Sequence, residues 1–92
     1  MSQIRPGTEI AIPCEVKKGP FTEERLVSFE TVDGPVSGFV TADDLKQTGE
    51  SRWSVRAVVL KIEGDVATVR VRGSFFTTNG LAHIKKEMAL AA

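Results

Sequence analysis

A single cysteine, Cys14, and a single histidine, His83, are the only thiol and imidazole in this 92-residue chain, and tyrosine is absent. One cysteine excludes an internal disulfide and fits a reducing compartment. Two such groups cannot close a zinc site, so no metal site is expected. A Cys–His nucleophile pair would have to meet in space beside an orienting group. Cys14 falls on the apolar side of its segment, where cysteine is usually an inert small hydrophobe, and His83 lies in no recognisable motif. Asp43 and Asp44 are adjacent and point in different directions, which disfavours paired acid–base work. No glycine loop has the spacing that cradles phosphate. The expectation is a protein that is not an enzyme, has no catalytic residue and needs no cofactor.

Charge of one sign is not in excess either: twelve Lys and Arg balance twelve Asp and Glu. No bulk field therefore draws the chain to nucleic acid or membrane. The distribution is uneven. Residues 1–50 carry five basic against nine acidic side chains, whereas residues 51–75 carry five basic (Arg52, Arg56, Lys61, Arg70, Arg72) against two acidic. Long hydrophobic runs are missing. No stretch approaches the roughly 20 apolar residues of a membrane helix, and the opening Met-Ser-Gln-Ile-Arg-Pro-Gly lacks an apolar signal core. A cytoplasmic location without membrane contact is expected. Length and a hydrophobic content of 41% suit one domain over residues 1–92, with a core over about 7–84.

What the sequence does have is a rhythm of short apolar strands. Ile10, Ile12, Cys14 and Val16 share one face by period two, and Pro13 places that strand at an edge or a bulge. Val27 and Phe29 point inward in a second strand, Asp33-Gly34-Pro35 makes a tight connection, and Val36–Val40 forms a third. Thr41-Ala42-Asp43-Asp44 reads as a capping box and one helical turn, in which the Thr41 hydroxyl accepts from a backbone N–H. Gln47–Ser51 reads as a polar loop. In 53–62, Val55, Ala57 and Val59 face one way, and Arg52, Ser54 and Arg56 the other. Glu63-Gly64-Asp65 then turns into 66–72, where Ala67, Val69 and Val71 point inward and Thr68, Arg70 and Arg72 outward. Asn79-Gly80 signals a further hairpin between Phe75-Phe76 and Leu81–Ile84, followed by a frayed or short helical tail over 85–92. The rhythm occurs twice. A shift of 42 residues lays Gly38-Phe39 on Gly80-Leu81, which chance or an internal duplication explains equally.

Arg52, Arg56, Arg70 and Arg72, with Phe75 and Phe76 nearby, form the best candidate site. Like charges side by side on a sheet are unfavourable unless something neutralises them. An anionic partner could do so, since arginine matches phosphate geometry and aromatics stack on bases. Glu9, Glu15 or Glu30 on a neighbouring strand could do so equally. Lys17 and Lys18 precede Gly19-Pro20-Phe21 in a basic loop. Trp53 is either a lid on the core or, with Phe75 and Phe76, an anchor for a protein partner. The free Leu-Ala-Ala end resembles the tag that bacterial trans-translation adds to stalled chains; an alanine-rich helical tail is the other reading.

Gly19-Pro20-Phe21, Gly38-Phe39-Val40 with Asp44-Leu45, and Val58-Val59-Leu60 together resemble the oligonucleotide-binding barrel of the ribosomal protein S-one type, over residues 8–72. Thr41 stands where that family often has His or Pro, and Phe21–Val32 is longer than its second strand. The expected fold is all-β: a small closed or partly open barrel of five to six strands with a short helical turn after the third. Src-homology-three and Tudor barrels, and six-stranded barrels with internal duplication, are further possibilities. The functional expectation is a binding module for RNA or a nucleoprotein. The alternative is a protein-interaction adaptor or regulatory subunit of open oligomeric state.

Overall fold

A computed structural model describes residues 4–18, 23–49, 52–71, 74–75 and 80–91. In chain order the strands are β1 (Glu9–Lys18), β2 (Glu24–Thr31), β3 (Gly34–Thr41), β4 (Leu45–Gly49), β5 (Arg52–Glu63), β6 (Val66–Val71), β7 (Ser74–Phe75), β8 (Leu81–Lys85) and β9 (Leu90–Ala91). The described ladders are antiparallel, and the main path through the sheet is β7-β3-β2-β1-β5-β6-β8. The sheet curls into a half-barrel, so the fold is all-β, with short 3₁₀ turns and no long helix among the described residues.

The core follows from alternation. Ile10 and Ile12 of β1, Val27 and Phe29 of β2, Val55, Ala57 and Val59 of β5, and Ala67, Val69 and Val71 of β6 are all buried, as the period-two pattern requires. Val40, Ala82 and Ile84 complete this interior. The turn between β5 and β6 uses Gly64 with φ +57°, and the turn between β2 and β3 uses Gly34 with φ +107°, both conformations that a side chain resists. A register shift after Val59 leaves Leu60 facing solvent, and the backbone N–H of Gly7 donates to Val59 O at 2.6 Å. That shift is a β-bulge, which bends the longest strand and helps the sheet curl.

Some local expectations are corrected. Residues 47–49, part of the stretch 47–51 read as loop, belong to β4, which pairs with β5 and sets Leu45 opposite Val55. Ser54, assigned to the solvent face with Arg52 and Arg56, is buried, and its hydroxyl donates to Lys46 O at 3.4 Å across β4. The hairpin expected at Asn79-Gly80 falls largely outside the described residues; within them β7 pairs with β3 and β8 pairs with β6. In the tail, read as frayed or short helical over 85–92, a 3₁₀ turn at Lys86–Met88 leads into β9, which pairs with β1. At Ala42–Asp44 the helical turn is present, but no side chain caps the backbone. The Thr41 hydroxyl instead donates to the Asp44 carboxylate at 3.0 Å.

The ladders repeat. Laying β1, β2, β3 and β4 onto β5, β6, β8 and β9 carries Val16↔Val27 onto Val59↔Val69 and Arg25↔Val40 onto Ala67↔Ile84. The same superposition carries Lys46↔Ser54 onto Leu90↔Ala11, and Gln47↔Trp53 onto Ala91↔Ile10. Bonds outside the ladders follow suit: the Ala42 N–H donates to Glu23 O at 2.9 Å, and the Lys86 N–H to Asp65 O at 2.8 Å. Even the seams correspond, since Phe39 opposite Ser74 matches the Val32 N–H donating to His83 O. The two halves are thus related by an approximate two-fold. Each half's last strand pairs with the other half's first.

Candidate functional site

The arginine face begins with alternation on β5 and β6. Val58 of β5 lies opposite Arg70 of β6, and Arg56 shares the outward side of β5 with Val58. Both guanidiniums reach solvent. Arg56 is not free: its Nη1 stands 3.8 Å from Glu9 Oε1 on β1, with both side chains about half exposed (50% and 44%). A long, solvated contact of this kind contributes little and is screened by salt. Among the described residues no carboxylate pairs with Arg70. Arg52 is exposed at the start of β5 and projects its stem over Gly49 of β4.

The other sequence candidates are placed as follows. Lys17 is exposed near the end of β1, six residues along from Ala11, which lies opposite Arg56. At about 3.3 Å per residue that is roughly 20 Å, so Lys17 does not join the arginine face. Arg72 and Phe76, and the side chains of Phe75 and Lys18, lie outside the described residues. Trp53 is half-buried, opposite Cys14 on one side and Gln47 on the other.

Cys14 and His83 stand on strands that are not neighbours, β1 and β8. Burial pushes the Cys14 thiol up to about 11, the direction opposite to that of an activated nucleophile. His83 lies against the turn between β2 and β3, its Nδ1 3.3 Å from Asp33 Oδ2, beside the bond from the Val32 N–H to its own carbonyl. It straps the seam of the half-barrel. Among the described residues no group of three His, Cys, Asp or Glu could hold a metal ion. Nor is any described helix long and apolar enough to cross a membrane.

A surface that sequence reasoning missed lies on the opposite half. Along one edge of β1, β9 covers Ile10 and Ala11 and β2 begins at Glu15, so residues 12–14 have no strand partner there among the described residues. Pro13, at the middle of this gap, has no N–H to give a ladder. The gap opens a notch of about 430 Å³ lined by Pro13, Cys14, Glu15, Ser28, Phe29, Glu30, Pro35 and Met88. Glu15 and Glu30 are exposed at its rim, and among the described residues neither has an ion-pair partner. The signal in the sequence was Pro13 itself, read as a bulge or edge but not as a break between two different neighbours.

The approximate two-fold that carries β1 and β2 onto β5 and β6 takes Pro13 to Arg56, Glu15 to Val58 and Ser28 to Arg70. The acidic notch and the arginine face therefore occupy equivalent places in the two halves with opposite charge. Comparison with protein-family models, with curated proteins and with solved structures gave no match.

Proposed function

We propose that the chain is a non-enzymatic binding module for single-stranded RNA. The observation that carries the reading is the arginine face, with Arg56 and Arg70 solvent-exposed on one hairpin and Arg56 engaged, among the described residues, only in a loose contact. Guanidinium groups so placed match the spacing and planarity of phosphate oxygens better than lysines would. The path β3-β2-β1-β5-β6, with β7 returning to β3, supports the likeness to an oligonucleotide-binding barrel. The low net charge means that affinity must come from this local patch and not from a general basic field.

The test is fluorescence anisotropy with a labelled single-stranded RNA of about 12 nucleotides, within the usual site size of such a barrel. Binding is expected at low salt, weakening as salt rises. The R56A/R70A double variant is expected to lose at least about tenfold, one contact to charged phosphate being worth that much or more. No binding at low salt, or affinity unchanged in the double variant, overturns the reading.

A further inference from the structure

We propose that the chain associates with itself, the acidic notch of one copy receiving the arginine face of the next. Two features lead there. The first is the break in the β1 edge at Pro13, which leaves a notch of about 430 Å³ floored by Phe29 and Met88 and rimmed by Glu15 and Glu30. An arginine side chain suits such a space, because its aliphatic stem packs on apolar groups while its head reaches carboxylates. The second is the approximate two-fold, which puts Arg56 and Arg70 where the other half has Pro13 and Ser28. One molecule thus presents both members of a complementary pair, and a second copy is the partner of matching charge.

The contact is weak by construction. Glu9 already leans on Arg56 at 3.8 Å. Arg52 is the next residue of β5 after the last β1 pair, Cys14↔Trp53, so a positive charge stands near the notch end of that ladder. Asp44 occupies the place equivalent to Met88. Each patch is blunted by one or two opposite charges, so association depends on low ionic strength and high concentration. Joining unlike patches is a heterologous contact, which continues from copy to copy unless a ring closes.

This inference goes beyond the RNA reading and draws on the same arginines, so its test separates the two. Sedimentation velocity of the wild-type chain, without RNA, is run at about 10 mM and about 1 M salt, where the screening length falls from roughly 30 Å to roughly 3 Å. A mass above that of the monomer, rising with concentration, is expected at low salt, with monomer alone at high salt. E15Q/E30Q and R56Q/R70Q, each with one live patch, are expected to stay monomeric alone and to form a 1:1 dimer when mixed. That dimer also shows that both variants are folded. A wild-type chain that stays monomeric at low salt overturns the proposal. So does association that survives either pair of substitutions, or a mixture that gives no dimer. E15Q/E30Q keeps every arginine, so RNA binding by that variant tests the RNA reading whichever way association falls.

Discussion

Ile12 lies directly opposite Val55, both fully buried, and the approximate two-fold exchanges one for the other. This pair marks where the axis crosses the sheet, so it is the single place at which the two halves meet on equal terms. The chain puts a larger aliphatic on one side and a smaller one on the other. The sum of their volumes, not the order, should matter most to packing.

Shrinking Ile12→Val is therefore expected to cost about 1 kcal/mol, and enlarging Val55→Ile about 1–3 kcal/mol. The double exchange I12V/V55I should cost less than the two together, by at least about 0.5 kcal/mol. Urea denaturation of the four proteins measures this directly. Strict additivity would show that the two side chains do not share a packing space.

The glycine turns give a second expectation. Gly34 and Gly64 both have open space where a side chain would begin, so any cost of substitution is backbone strain alone. Gly64, with φ +57°, sits in the left-handed region that asparagine tolerates, whereas Gly34, with φ +107°, does not. Gly64→Asn should change stability by less than about 0.5 kcal/mol, and Gly34→Asn should cost about 1–3 kcal/mol. Equal effects at the two sites in thermal melts would contradict this account.

Cys14 makes stability depend on pH in a defined window. Burial raises its thiol from an ordinary 9.0 to about 11, so the folded chain prefers the neutral form. Its contribution is complete below pH 9 and is lost as pH rises through 11. Urea midpoints of the wild type should fall over that interval relative to Cys14→Ala. Alkylation at neutral pH should also run at least about tenfold slower than for a free thiol, the thiolate being the reactive form. Rapid labelling at pH 7 would show that the thiol is not held in its neutral state.

Glu9 competes with any anion for Arg56. Glu9→Gln should raise RNA affinity by about two- to fivefold at low salt, as the value of an exposed ion pair suggests, and the gain should shrink as salt rises. Anisotropy titrations at two salt concentrations read both effects. A lower affinity in Glu9→Gln would mean that Glu9 positions the guanidinium instead of occupying it.

How much of this was legible depended on where the chemistry was local. The hairpin of β5 and β6 announces itself through unbroken alternation around a glycine turn, and its inward residues are the buried ones. β4 was not legible, because Lys46, Gln47 and Gly49 have the composition of a loop, and only the neighbouring β5 makes them a strand. The partner of Leu81–Lys85 was not legible either, because its ladder with β6 joins two segments that no local signal pairs. The repeat was visible only in outline, since Gly38 corresponds to Ala82 and not to Gly80, and unequal turns hide the true register. Core character survives between the halves, as in Val16 with Val59 and Val40 with Ile84, while the rims have diverged. The arginine face could be read from one hairpin. The notch could not, because Glu15 and Glu30 come from two strands and meet only where β9 stops short of β2.

Pro13 also restricts how the open stretch of β1 can be occupied. A visiting peptide laid along it as an extra strand would find a carbonyl but no amide hydrogen at the central position, and main-chain zippering would stall there. Whatever settles in that gap has to be recognised by its side chains, which makes the site selective for chemistry and poor at nucleating indiscriminate edge-to-edge aggregation.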